Sequence, residues 1–127
     1  MESIDNIRTS LNEIDVLLDY ASQNTETIFK YQLFNKVSIV LLSTKLEVFI
    51  EELFKKHGLE SFIVNEETQT CLRLMNSLIA IRNNVIHQDA TPSLTHLTVD
   101  EHKKNILKFI QLIENDINSN KREYYNE

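Results

Sequence analysis

An arginine, two asparagines and a histidine occur together in one short segment, residues 79–92, which reads IAIRNNVIHQDATP. A guanidinium can stabilise the charge of a phosphate, and an imidazole can transfer a proton near neutral pH. Asn83 and His87 are four residues apart, so they share one face of a helix, where Asn83 can orient the imidazole. Arg82 and His87 are five residues apart, or about 140° around an ideal helix. Both can reach one small ligand only if the arginine bends round, the helix distorts at its end, or a second subunit supplies one of them.

Arg82 projects near the centre of the apolar side of its helix, where an unpaired charge is energetically costly. A buried guanidinium requires a carboxylate, a water-filled cleft or a bound anion. Glu47 is the obvious carboxylate, because it shares a stripe of the preceding helix with Ser43 and Ile50. The residues alone leave open whether Arg82 forms a structural salt bridge or binds a ligand. They also leave open whether His87 is catalytic or is a helix C-terminal histidine favoured by the helix dipole.

No other set of residues predicts a metal or cofactor site. The four histidines lack ligand spacing, so we expect no metal, and a single glycine, Gly58, rules out a glycine-rich phosphate loop. We therefore expect no cofactor. Cys71 falls on the apolar arc of its helix and is predicted to be a core thiol. A phosphate-binding patch on the last helix is an alternative to a simple solvated face for Lys103, Lys104 and Lys108.

The hydrophobic pattern predicts an all-α protein, an up-and-down bundle of four to five helices in one domain spanning residues 1–127. One glycine and one proline permit few sharp turns, and no segment alternates as a strand does. We expect helices at about residues 3–23, 25–56 and 66–88, a short helix or irregular connection after Gly58, a closing fourth helix, and a frayed tail at residues 118–127. Ser3 is the predicted N-cap of the first helix, and Thr98 with Glu101 forms a capping-box pattern for the fourth.

The second helix is apolar around most of its circumference. Phe34 and Val37 lie on one side of it, whereas Leu42, Leu46 and Phe49 lie on another. A small domain rarely buries every side of a helix. Either this helix is central in the bundle, or a second subunit covers one of its faces.

Charge and hydropathy narrow the class of protein. The net charge of −6 argues against a passive nucleic-acid coat protein, which is usually basic, but it does not exclude an enzyme that acts on RNA. The single cysteine suits a reducing compartment, and the N-terminal segment lacks the pattern of a signal peptide. The longest apolar run, VSIVLL, is too short to span a membrane. We therefore expect a cytoplasmic protein with no membrane association.

Two segments resemble the HEPN superfamily. RNNVIH, residues 82–87, resembles the Arg-x4-6-His signature of that superfamily, with a polar residue directly after the arginine. LLSTKLEVFIEELFKK, residues 41–56, resembles the second long helix of stand-alone HEPN proteins. The order of the helices is also similar, so the resemblance covers about residues 10–115 and is closest to the short RiboL-PSP-like branch.

The resemblance implies a homodimeric, metal-independent endoribonuclease of a toxin–antitoxin or anti-phage defence type, with two motifs facing one cleft. It implies that the ribose 2′-hydroxyl attacks the adjacent phosphate and leaves a cyclic phosphate and a 5′-hydroxyl. His87 would then act as general base or acid, and Arg82 would stabilise the phosphate charge. Asn83 would orient His87 or bind phosphate, and Glu47 would support Arg82. The implied partners are an RNA substrate, a second copy of the chain, and an antitoxin or nucleotidyltransferase.

Two other functions remain open on the sequence. A HEPN-like helical dimer without catalysis would bind a nucleotide or a partner protein, which the acidic charge and the spacing of Arg82 and His87 favour. An antitoxin or regulatory subunit would expose an apolar groove for another chain. The intact Arg-Asn-x-x-x-His pattern favours the enzyme, because a scaffold has no reason to keep a charge on its apolar face.

Overall fold

The computed structural model describes residues 2–57, 66–87 and 94–120. These residues form four helices and no strand: α1 (Glu2–Gln23), α2 (Ile28–His57), α3 (Glu66–His87) and α4 (His96–Asn120). The all-α prediction is confirmed. The predicted short helix or irregular connection after Gly58 lies outside the described residues.

Contacts between the helices give the directions of the chain. The start of α1 meets the end of α2, where Ser3 Oγ donates a hydrogen bond of 2.7 Å to Glu52 Oε2. The start of α1 also meets the end of α4, where Arg8 binds Glu114 with an N–O distance of 2.5 Å. α1 therefore runs antiparallel to both α2 and α4, as an up-and-down bundle requires.

The core is aliphatic and is built from all four helices. Ile and Leu dominate it because their side chains recur at helical spacing on the inward face of each helix. The largest fully buried side chains are Phe109, Ile14, Ile39, Leu42, Leu46, Leu53, Leu78, Ile106, Ile110, Ile113 and Val99. The rings of Phe49 and Phe109 meet edge to face at 6.5 Å, which packs α2 against α4.

The predicted N-cap at Ser3 is wrong. Ser3 lies within α1, which begins at Glu2, and only 3% of its surface is exposed. Its hydroxyl binds a carboxylate of another helix rather than a backbone amide of its own helix. The small side chain is therefore placed by the packing of α1 on α2, which the local pattern cannot reveal.

The predicted starts of α2 and α4 are also wrong by three residues or fewer. Turns closed by hydrogen bonds from Asn24 N to Ala21 O and from Thr27 N to Asn24 O delay α2 until Ile28. At α4, Thr95 Oγ1 accepts a 3.2 Å hydrogen bond from the amide of Thr98. Thr95 is therefore the N-cap, and the predicted cap at Thr98 lies inside the first turn.

α4 is longer at its C-terminal end than the sequence predicted. α4 continues to Asn120, three residues into the segment that the sequence predicted as a tail, and residues 121–127 lie outside the described residues.

None of the helices in the described parts of the chain is long and apolar enough to cross a membrane.

The second helix keeps apolar residues on its outer face although it contacts α1, α3 and α4. Phe29, Leu33 and Val37 follow one another at four-residue spacing, and 77%, 48% and 44% of their surfaces are exposed. Such spacing places them on one stripe of the helix. We call these three residues the α2 apolar stripe.

Candidate functional site

The Arg82 guanidinium lies between α3 and α2 and is paired with Glu47. Arg82 Nη1 is 2.7 Å from Glu47 Oε1, and 17% of the arginine side chain is exposed against 46% of the glutamate side chain. Of the two alternatives that the sequence left open for Arg82, the structure shows the ion pair with Glu47. The apolar side of α3 places the arginine against α2, and the carboxylate neutralises a charge that would otherwise be costly there.

Asn83 contacts the same guanidinium. Its side-chain oxygen Oδ1 accepts a 3.2 Å hydrogen bond from Arg82 Nη2. Asn83 is exposed, so its amide nitrogen faces water and can bind a further acceptor. Arg82, Asn83 and Glu47 therefore form one connected polar group at the junction of α2 and α3.

His87 is the last residue of α3 and is exposed. None of the contacts described for residues 2–57, 66–87 and 94–120 joins it to Arg82, Asn83 or Glu47. The structure thus brings together three of the four predicted site residues and leaves the histidine apart from them within one chain. The expected separation of Arg82 and His87 around the helix agrees with this placement.

A groove lies beside the Arg82–Glu47 pair, between α2 and α3. Its volume is about 390 Å³, and apolar side chains form most of its wall: Leu46, Ile50, Leu72, Met75 and Ile79. Glu47, Glu51 and Asn76 are its polar lining residues. Arg82 does not itself line the groove, because Glu47 lies between them, and 17% of the arginine side chain remains exposed to solvent.

Two of the three lysines of α4 that the sequence singled out are paired with carboxylates, whereas Lys108 is exposed. Lys103 binds Asp15 and Asp100, and Lys104 lies 2.8 Å from Asp100. Burial alone would lower the pKa of Lys103, but its hydrogen bonds with Asp15 and Asp100 raise it overall. These two lysines serve to join α4 to α1 and to its own first turn.

Cys71 is a core residue, as predicted. Only 1% of its surface is exposed, and burial raises the pKa of its thiol. Its backbone oxygen accepts a 3.0 Å hydrogen bond from Asn105 Nδ2, which joins α3 to α4. A thiol in this environment is a poor nucleophile.

A polar cluster between α2 and the start of α4 was missed by sequence reasoning. Tyr31 Oη accepts a 3.0 Å hydrogen bond from the amide of His96 and lies 2.9 Å from His96 Nδ1. Since the hydroxyl accepts from that amide, its own proton is free to go to Nδ1. Asn35 is fully buried beside them, and its Nδ2 lies 3.5 Å from the oxygen of Leu94.

This cluster joins the start of α4 to α2. Tyr31 and His96 are 65 residues apart in sequence, so no local spacing could have revealed their contact. Asn35 Oδ1 is buried and has no hydrogen-bond partner among the described residues. An unpaired buried oxygen is costly unless water or another donor reaches it.

Comparisons with known proteins leave the family of the chain undetermined. No model of a known protein family, no curated protein and no solved structure matches it. Within the described residues, no group of three or more His, Cys, Asp and Glu side chains is arranged to hold a metal ion.

Proposed function

We propose that the protein is a metal-independent endoribonuclease of a toxin or anti-phage defence type. It cleaves RNA by attack of the ribose 2′-hydroxyl, and Arg82 and His87 act together in a cleft between two copies of the chain. The observation that carries the proposal is that α3 carries both a partly exposed guanidinium, that of Arg82, and an exposed histidine at its end, His87. These groups occur in the spacing that resembles the HEPN signature.

Each side chain has a defined part in the reaction. Neutral His87 accepts the proton of the 2′-hydroxyl, or in its protonated form donates one to the leaving 5′-oxygen. The guanidinium of Arg82 stabilises the negative charge that builds on the phosphate oxygens. Asn83 holds Arg82 Nη2 through its oxygen, and its exposed amide is free to bind phosphate. Glu47 fixes the position of the guanidinium.

In this proposal a second copy of the chain supplies the histidine that Arg82 lacks within its own chain. The α2 apolar stripe is the surface on which we place this copy, because an exposed run of Phe, Leu and Val on one helix is a typical interaction surface. In a symmetric dimer each copy supplies the same patch to the other. His87 of one copy can then approach Arg82 of the other.

A non-catalytic function is the second candidate. The ion pair with Glu47 occupies one edge of the guanidinium, and the net charge of −6 opposes RNA binding. Both features suit a helical dimer that binds a nucleotide or a partner protein. In the cell, either function is compatible with a neutralising antitoxin or a nucleotidyltransferase as partner.

RNA cleavage in the presence of EDTA separates these candidates. We expect the wild-type protein to cut a labelled RNA and to leave cyclic phosphate and 5′-hydroxyl ends, whereas Arg82→Ala and His87→Ala lose the activity. Arg73→Ala is the matched control, because Arg73 is an exposed arginine of α3 that contacts only its neighbour Thr70 in the described contacts. We expect it to retain activity.

Substrates with a 2′-deoxy sugar at the cleavage position test the chemistry itself. They should resist cleavage, because the nucleophile is then missing. Intact RNA after incubation with folded, dimeric wild-type protein would move the conclusion to the non-catalytic candidate.

A further inference from the structure

The groove between α2 and α3 has the dimensions of a small-molecule site. Its volume of about 390 Å³ falls within the range of roughly 300–1,000 Å³ that such sites occupy. Its walls are aliphatic, with Ile50 on α2 and Met75 and Ile79 on α3. Polar groups are few, which is typical of a site that takes a flat apolar ligand and orients it with two or three hydrogen bonds.

The groove adjoins the group that we assign to phosphate binding. Glu47 both lines the groove and holds Arg82 at 2.7 Å. Ile79 precedes Arg82 by three residues, which is a rise of about 4.5 Å along the helix. A nucleotide with its phosphate near Arg82 therefore has its base within reach of the groove.

Glu51 is the carboxylate of the groove that is most available to a ligand. It pairs with Lys55 at 2.6 Å, but 62% of the glutamate side chain and 73% of the lysine side chain are exposed. An exposed pair at four-residue spacing contributes little and is easily opened. The hydrogen bond from Lys55 lowers the pKa of Glu51, so the carboxylate is ionised at neutral pH and can only accept hydrogen bonds.

We infer that this groove binds the guanine base of the nucleotide adjoining the scissile phosphate, with Glu51 as the residue that selects guanine. Guanine carries two neighbouring donors on one edge, N1–H and the 2-amino group, and these match the two oxygens of a carboxylate. Its O6 accepts a hydrogen bond, and the exposed Asn76 amide supplies a donor for it. The faces of the base lie against the aliphatic walls.

The other bases fit this lining less well. Adenine and cytosine offer one amino group beside a ring nitrogen that accepts, and uracil offers one N–H between two carbonyls. A carboxylate facing any of these edges meets at least one acceptor, which repels it. The inference rests on the proposed function for its link to RNA, and on the groove alone for the choice of base.

Binding of guanosine 3′,5′-bisphosphate, measured by calorimetry, tests the inference without any need for cleavage. We expect tighter binding than for the adenosine analogue, and weaker binding for the inosine analogue, which lacks the 2-amino group. Glu51→Gln should weaken guanosine binding roughly tenfold or more, because a charge-assisted hydrogen bond is lost. It should also abolish the preference over adenosine.

Two control variants show that the effect belongs to the carboxylate of Glu51. Lys55→Gln removes its ion-pair partner and should leave binding unchanged or tighter. Glu13→Gln removes an exposed carboxylate from α1 and should change nothing. Equal affinity for the three nucleotides, or full affinity in Glu51→Gln, overturns the inference.

Two further arms separate this inference from the proposed function. Cleavage sites mapped on a mixed-sequence RNA should lie next to guanosine. If wild type and Glu51→Gln both cleave without a preference for guanosine, the ribonuclease proposal stands but the guanine site is overturned. Guanine-selective binding of a short RNA without cleavage sustains the site and overturns the ribonuclease. Selective binding of the free nucleotide with no binding of RNA overturns the assignment to an RNA base.

Discussion

At the scale of single residues, the Arg82–Glu47 ion pair neutralises a mostly buried guanidinium between α2 and α3. The helical projection of α3 places the Arg82 guanidinium on its apolar side, and the projection of α2 indicates Glu47 as the carboxylate that can face it. The hydrogen bonds of Ser3 and Tyr31 were not foreseen, because their partners Glu52 and His96 lie on other helices, 49 and 65 residues away. Periodicity gives the face of a helix, but not which residue of a neighbouring helix it will meet.

Replacing Glu47 by Gln tests the structural part of this ion pair. The partly buried guanidinium loses its counter-charge, so we expect the free energy of unfolding to fall by about 1 kcal/mol, a modest value because Glu47 is half exposed. Urea denaturation followed by circular dichroism measures it. Glu51→Gln, which opens only an exposed surface pair, is the matched control and should leave stability unchanged. An equal loss in both variants would contradict this view of Arg82.

The lowered pKa of Asp100 predicts that the free energy of unfolding depends on pH. Its hydrogen bond with Lys104 is the main cause of a lowered pKa, and Lys103 adds to it. A carboxyl whose pKa is lower in the folded state stabilises the protein above its unfolded pKa and loses that contribution as pH falls through its folded pKa. We therefore expect Asp100→Asn to lower the free energy of unfolding at neutral pH.

The difference between Asp100→Asn and wild type should shrink below about pH 4, where the carboxyl of the unfolded chain is already protonated. Denaturation at several pH values measures this. Asp19→Asn, at an exposed position of α1, is the control and should track the wild type. A constant difference across the acid range would show that the ion pairs of Asp100 contribute nothing.

At the scale of secondary structure elements, the four long helices of the described residues and their order could be read from the sequence, whereas several boundaries could not. Helical periodicity extends over many residues and is hard to mistake. A helix start depends on one or two hydrogen bonds, and both Thr95 and Thr98 were chemically suitable caps for α4. The structure selects Thr95, because Tyr31 holds the next amide, that of His96, against α2.

Tyr31→Phe should destabilise the start of α4. It removes the acceptor for the His96 amide and the partner of His96 Nδ1 while it keeps the ring. We expect a loss of about 1 kcal/mol and faster hydrogen exchange at the His96 amide. Tyr20→Phe is the control, because the Tyr20 side chain is exposed and its ring packs on Phe34. If both variants behave as wild type, water replaces the hydroxyl at no cost and the cluster does not fix α4.

At the scale of the whole molecule, the fold follows from the sequence but the assembly does not. The exposed stripe of Phe29, Leu33 and Val37 is the kind of apolar surface that one chain shows when its partner in an interface is absent. The sequence showed a helix that was apolar on too many sides, and the structure shows which side the bundle leaves uncovered. The partner for that side cannot be read from the periodicity of one chain.

Leu33→Asp tests the α2 apolar stripe as a dimer interface. If the proposed dimer forms, a charge in the centre of the stripe should convert it into a monomer with unchanged helix content, because the side chain is already half exposed in one chain. Light scattering coupled to size-exclusion chromatography gives the mass. Leu107→Asp places the same charge on an exposed leucine of α4 and should remain dimeric. A monomeric wild-type protein would refute the interface.

The most direct test of the central claim is the RNA cleavage rate of mixed dimers formed from Arg82→Ala and His87→Ala, measured in EDTA. If the catalytic pair is assembled from two copies of the chain, each mixed dimer holds one complete site. An equimolar mixture of two inactive variants should then recover about a quarter of the wild-type rate, because half of the dimers are mixed and each has one of two sites. No recovery, with mixed dimers verified by mass, would contradict a ribonuclease site shared between two copies.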